Sequence, residues 1–187
     1  MPTDRGTFMG EGSPGTGSST HYEEVPMEPR IDLIANPTGA SISRRIYAVA
    51  MEIQKSTLPK SIQELVELRA SQINGCGWCV DVHTKDAAAH GETQLRLNLA
   101  AAWRHSTVFT EPERAVLALA EEGTRLADAA GGVSDETWAL VSKHFDEDQR
   151  AALIALVAMI NATNRLGVIC NMPGGSYEPA VFAGLEN

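Results

Sequence analysis

The sequence predicts an all-α protein, on three observations. Alanine and leucine dominate the apolar residues while aromatic residues make up only 5%, a mix that suits closely packed helices better than a β-sandwich. From Pro37 onward apolar residues recur at helical spacing, and no segment alternates convincingly as a strand does. The segments between are punctuated by residues that start and stop helices.

Ile42, Ile46, Val49, Ala50 and Ile53 mark the first helix. Thr57-Leu58-Pro59 breaks it. A second, over about 60–73, carries Ile62, Leu65, Val66 and Ile73, and Asn74-Gly75 ends it with residues that tolerate a left-handed conformation. The third is expected over about 76–90, stopped by Gly91. Thr93 can cap a fourth, with Leu95, Leu97, Leu99 and Trp103. Thr110-Glu111-Pro112-Glu113 opens a fifth, because proline is favoured in the first turn and acids suit the positive end of the dipole. It carries Ala115, Val116, Leu119, Ala120 and Leu126, and the loop 129–133 follows. Ser134 or Asp135 opens a short helix with Trp138, Leu140 and Val141. The last helix, about 147–169, is apolar on every side over 151–160, the pattern of a central or subunit-interface helix. Pro173-Gly174-Gly175 is expected to close the packed region.

At 187 residues the chain suits one domain with a proper core. Residues 1–26, rich in Gly, Ser, Thr and Pro, read as a flexible tail. Residues 27–187 read as a single all-α domain, and Met27 is a candidate alternative start. Net charge is −9 with 15 basic residues scattered along the chain, which argues against a nucleic-acid partner. Three cysteines are too few for a secreted disulfide scaffold. No unbroken apolar run reaches the ~18 residues of a membrane span, and the N-terminus does not read as a signal peptide. The expectation is a cytoplasmic protein in a reducing compartment, without membrane association.

The chemistry concentrates in Cys76-Gly77-Trp78-Cys79-Val80-Asp81-Val82-His83. On a helix, at about 100° per residue, Cys76, Cys79 and His83 share an arc of roughly 60°. After the break at Asn74-Gly75 both thiols lie in the first turn, where unpaired N–H groups and the dipole favour a thiolate. The dipole alone favours Cys76 as nucleophile. His83, one turn beyond Cys79, shifts the choice to Cys79 as attacker and Cys76 as resolver. Two rival readings stand beside this one. A pair of small buried hydrophobes has the same spacing. A zinc site has three ligands here but lacks a fourth, so no metal is expected.

The segment from Leu65 to Thr84, with Glu111-Pro112-Glu113-Arg114-Ala115 and Ile160-Asn161-Ala162-Thr163-Asn164-Arg165, resembles the alkylhydroperoxidase D-like branch of the carboxymuconolactone decarboxylase family. The resemblance covers about 30–165. It implies a compact helical fold assembled as a homo-oligomer, a trimer or hexamer. It also implies a thiol peroxidase needing no cofactor: Cys79 attacks a hydroperoxide, Cys76 resolves it to a disulfide, and a dithiol or lipoyl protein donates electrons. Glu64 and His83 are implied as the proton relay. By its own pattern Glu64 reads otherwise: Ser61-Ile62-Gln63-Glu64 fits a capping box, and it lies opposite the apolar stripe beside Glu67 and Ser71 as a solvated acid. The chain departs from the family at Trp78, where histidine or tyrosine is common; an indole donates one hydrogen bond but exchanges no proton with a thiol. Trp78 is left to cover the thiols or pack in the core.

Two other functions are open. A lactone decarboxylase, as in the branch that names the family, does not rely on paired thiols. A non-catalytic redox-responsive assembly module would use them to switch packing. Elsewhere His90 and His105 read as helix-closing residues, His144 as a surface residue, His21 as part of the tail and Cys170 as a packed residue. Asn161, Asn164 and Arg165 read as polar ties between helices.

Overall fold

The computed structural model describes residues 27–128 and 131–179. The expected tail and Ala129-Ala130 of the expected loop lie outside the described residues. Among the described residues there are seven α-helices, one 3₁₀ helix and no strand. They are α1 (Pro37–Gln54), α2 (Lys60–Asn74), α3 (Gly77–Ala89), α4 (Gln94–Leu99), the 3₁₀ turn (Ala100–His105), α5 (Glu111–Thr124), α6 (Asp135–His144) and α7 (Glu147–Ile169).

The start signals hold. Thr93 Oγ1 accepts from the Arg96 N–H, Glu113 accepts from the Thr110 N–H and hydroxyl, and Ser134 accepts from the Thr137 N–H. Asp146 and Gln149 form a reciprocal cap at α7. Two boundaries differ from expectation. The fourth helix tightens to 3₁₀ geometry at Ala100, with Ala102 at φ −122° breaking the helical path. The fifth ends at Thr124, leaving Leu126 exposed.

Two apolar clusters share α2. One joins Ile62 and Val66 to Val116, Leu153 and Leu156 from α5 and α7. The other joins Leu65 and Leu68 to Ala87, Leu97, Trp103 and Leu117. α2 therefore packs against α3, α5 and α7 at once. Its polar residues Gln63, Glu64, Arg69 and Ser71 are buried with the apolar ones. Each has a partner from another element or turn: Gln63 donates to Leu58 O at 2.9 Å, and Arg69 meets Glu121 Oε1 at 2.6 Å. Glu121 also accepts from Trp103 Nε1 at 3.0 Å and from Arg104. α2 is the central helix.

α7, expected as a central or subunit-interface helix, is buried along one side within the chain. It buries Leu153, Leu156, Ile160, Asn164 and Gly167 but exposes Ile154, Val168 and Ile169. By length and composition it could cross a membrane, yet one face packs against α1, α2, α3 and α5. The packed region also does not close at Pro173-Gly174-Gly175. The chain runs on as a strap over 171–177 and buries Tyr177 against α3. His144, expected on the surface, is largely covered and sits 3.7 Å from Glu111.

Candidate active site

The turn between α2 and α3 sets the site. Gly75 is left-handed, φ 66°, and caps α2 through its N–H to Ser71 O, a conformation glycine adopts without a Cβ clash. Asn74 just before it donates to Asn161 Oδ1 at 3.0 Å and to Asn164 Oδ1 at 2.9 Å. Asn164 in turn donates to Ser71 Oγ, and Asn161 to Thr124 Oγ1. Asn161 and Asn164 thus tie the cysteine turn to α7 and α5 as expected, whereas Arg165 donates to Asn161 O of its own helix.

Cys76 is the N-cap of α3 rather than its first residue, and Cys79 donates its N–H to Cys76 Sγ at 3.3 Å. The two cysteines are joined as a disulfide. Only 1% of Cys76 and 6% of Cys79 is exposed, so neither sulfur is open to solvent in this oxidised form. Cys170, the remaining cysteine, is free and buried, as expected of a packed residue.

Three close contacts surround the cysteine turn. Gly167 of α7 lies so close that a Cβ there would stand 2.6 Å from Cys76 Sγ and 3.5 Å from Cys79 Sγ. Gly174 of the strap abuts the Gly77 backbone, where a Cβ would stand 2.4 Å from Gly77 O. Trp78 meets the Tyr177 ring edge-on, with centroids 5.9 Å apart, and so packs under the strap. The strap itself is tied by Asp81, which accepts from the Gly175 and Tyr177 N–H groups at 2.6 and 3.0 Å. Lys85 donates to Tyr177 O, and the Tyr177 hydroxyl to Asp86. Burial works against the Asp81 carboxylate, but the bonds from Lys85, Tyr177 and Gly175 outweigh it and hold Asp81 below the usual range.

Beside these contacts runs a cleft of about 650 Å³. Gly77, next to Cys76 in the chain, and Gly167, close to both sulfurs, contribute to its wall with Val80, Thr84, Val168 and Met172. Its charged members, Asp81 and Lys85, pair with each other at 2.9 Å.

The acid and base residues lie on the facing sides of α2 and α3. His83 is one turn beyond Cys79, at the spacing where side chains are neighbours. Its Nδ1 lies 3.5 Å from Oε2 of Glu67, and 16% of each side chain is exposed. Glu64 is paired instead with His90, Nδ1 to Oε1 at 2.6 Å, though that oxygen accepts no well-aligned hydrogen bond. No ion pair joins Glu64 to His83 among the described residues. The capping role expected for Glu64 is overturned: α2 begins at Lys60 after Pro59 with no side-chain cap, and Glu64 is buried rather than solvated.

Burial pushes Glu67 up to about 7, with Lys60 opposing and Asp86 reinforcing. Burial likewise drives His83 down to about 4, against Asp86. Glu64 is also raised, by burial first, with His90 and Lys60 pulling the other way. At neutral pH His83 is therefore an uncharged imidazole beside a carboxyl close to half protonation.

Of the residues singled out in the sequence, the structure joins Cys76 to Cys79 as a disulfide and pairs His83 with Glu67 rather than with Glu64. Sequence reasoning missed Glu67, Gly167 and the strap. Glu67 had a usable signal, since it shares a helix face with Glu64; Gly167 and the strap had none, their contacts being about 90 residues away in sequence.

The model of the "Carboxymuconolactone decarboxylase family" matches residues 42–122, which include α2, the cysteine turn and α3. The uncharacterised protein YdfG of Bacillus subtilis is 36% identical over 124 residues, covering 64% of this chain and 83% of its own. The chain belongs to the carboxymuconolactone decarboxylase family. Its fold is that of a solved Agrobacterium tumefaciens protein of unknown function, provisionally assigned to AhpD-type antioxidant defence. That protein is 30% identical, with a TM-score of 0.74, covering 80% of this chain and all of the other. The fold also recurs in the debrominase Bmp8, at 16% identity and TM-score 0.67, over 77% of this chain and 76% of the other. The AhpD-like branch of the family, suggested by the resemblance, stands on these findings.

Proposed function

We propose that this protein is a thiol-dependent peroxidase that reduces organic hydroperoxides through Cys79 and Cys76. The observation that carries the reading is the arrangement around α3: two cysteines in bonding contact at a helix start, an imidazole one turn on, and a half-buried acid of α2 beside that imidazole. In the reduced protein Cys79 gives its proton to His83, with the α2 carboxylates Glu64 and Glu67 as the relay beyond it. The thiolate attacks the peroxide, the O–O bond breaks, and Cys79 becomes a sulfenic acid while the alkoxide takes the proton and leaves as an alcohol. The Cys76 thiol then displaces water from sulfur to form the disulfide. A dithiol, free or as a lipoyl group on a protein, restores both thiols by exchange and is itself oxidised.

The cleft supports an apolar hydroperoxide, since its walls are mainly aliphatic and glycyl and its two charges neutralise each other. Assembly as a homo-oligomer in the cytoplasm is part of the proposal, with no nucleic acid, membrane, metal or organic cofactor involved.

One observation favours a second reading, a redox-responsive module without turnover: both cysteines of the disulfide are buried. Steady-state consumption of cumene hydroperoxide with dihydrolipoamide separates the two. The peroxidase reading expects multiple turnovers, lost in both Cys79→Ser and Cys76→Ser, with a dimedone-trappable sulfenic acid on Cys79 in Cys76→Ser alone. Slow oxidation that changes oligomer size without turnover would establish the second reading instead.

A further inference from the structure

The family resemblance directs attention to Glu64 as the acid that serves His83, but the side chains are arranged otherwise. α2 and α3 run side by side and carry two acid–imidazole pairs. The inner pair is Glu67 with His83, next to the cysteine turn. The outer pair is Glu64 with His90, whose side chain is 54% exposed at the end of α3. We infer that Glu67 is the residue that positions His83 for the thiol of Cys79, while Glu64 belongs to the outer pair. The inference rests on the peroxidase reading for its purpose, though not for its test.

Three observations carry it. Glu67 is the carboxylate within ion-pair distance of the His83 ring, at 3.5 Å, and Glu64 is not. Glu64 is already engaged at 2.6 Å by a different imidazole. The Glu67–His83 pair is screened but not sealed, with 16% of each side chain exposed, so its proton can exchange with water. An ionised Glu67 accepting the Nδ1 hydrogen would leave Nε2 as the basic nitrogen of His83. A protonated Glu67 cannot do this. Burial places that change near neutral pH, where a proton-transfer group is most effective.

The charged groups that face this pair are few. Lys60, at the start of α2, favours the ionised acid and the neutral imidazole; Asp86, on α3, favours the opposite. Glu64 and His90 lie beyond as the outer pair, and Asp86 is itself occupied by the Tyr177 hydroxyl. The sign follows. Below about 7 Glu67 is neutral and His83 lacks its anion; above it the carboxylate holds the imidazole hydrogen and supports the thiolate.

The test uses the full chain in a Cys76→Ser background, so that Cys79 stays reduced. Its alkylation by iodoacetamide is followed site by site by mass spectrometry from pH 5 to 9. The expected profile has an inflection near 7 below that of the thiol itself. Glu67→Gln removes this inflection and slows alkylation at pH 7.5 about tenfold; Glu67→Asp restores at least part of both, a rescue that a purely structural role would not give. The Glu64→Gln effect is expected to be at least fivefold smaller than that of Glu67→Gln. An inflection that survives Glu67→Gln, or a Glu64→Gln effect as large as that of Glu67→Gln, overturns the inference. Alkylation needs no peroxide, so failure of the peroxidase reading shows separately, as Cys79 that alkylates by this profile yet ignores hydroperoxide.

Discussion

α2 and α7 invert each other. α7 is the more apolar helix, yet it is buried along one side and leaves Ile154, Val168 and Ile169 in solvent. α2 carries Gln63, Glu64, Arg69 and Ser71, and all are buried at the centre of the fold. The difference teaches that burial here follows from available partners rather than from hydrophobicity. Every turn of α2 faces a helix that offers a counter-group: Glu121 from α5 for Arg69, Asn164 from α7 for Ser71, His90 from α3 for Glu64. A buried polar group with partners is tolerated where an unpaired one is not. A central polar helix also supplies what an apolar one cannot, an acid near neutrality beside His83.

The comparison breaks most readily at Glu121. It accepts from Arg69, Trp103 and Arg104 together. Glu121→Ala is expected to destabilise the fold by about 3–5 kcal/mol, the range for leaving a buried charge without its partner. Urea unfolding measures it. A loss below about 1 kcal/mol would mean that α2 is held by its apolar contacts alone.

A middle effect is expected at Gly167→Ala, on the buried side of α7. The added methyl would lie 2.6 Å from Cys76 Sγ, an overpacking that costs roughly 1–3 kcal/mol. Because the clash is with the disulfide, the variant should favour the reduced protein in a thiol–disulfide titration. An unchanged redox midpoint would show that α7 yields to the methyl without pressing on the sulfurs.

The smallest effect sharpens the other half of the contrast. Ile154→Ala, on the open side of α7, should change stability by no more than about 0.5 kcal/mol in the monomer. A larger loss that depends on protein concentration would show that this face is covered by a second copy of the chain, the homo-oligomer the family leads one to expect.

Much of this was legible in the residues themselves. The helices followed from periodicity and from Thr93, Thr110 and Ser134 as start signals. The cysteine turn followed from Asn74-Gly75 before a CxxC, because a left-handed stop and a helix start leave little choice for the backbone between them. The burial of α2 was hidden, since Arg69 and Glu64 look solvated until helices 52 residues away in sequence, as Glu121 is, or across a tight turn bring their partners. The strap was hidden for a related reason. Pro173-Gly174-Gly175 reads as an ending, while the bonds that carry it onward come from Asp81, 94 residues earlier than Gly175. Glu67 rather than Glu64 beside His83 is a matter of side-chain facing between two helices, which spacing on one helix does not specify.

The central claim, that Cys76 and Cys79 are a working redox pair, is tested most directly by stoichiometry. One equivalent of hydroperoxide is added to the fully reduced wild-type chain, and free thiols, alcohol product and cross-linked peptides are counted. The account predicts two thiols lost and one alcohol formed per subunit, with a Cys76–Cys79 peptide as the sole cross-link. Thiols that persist with the hydroperoxide unconsumed, or oxidation falling on Cys170 instead, would contradict it.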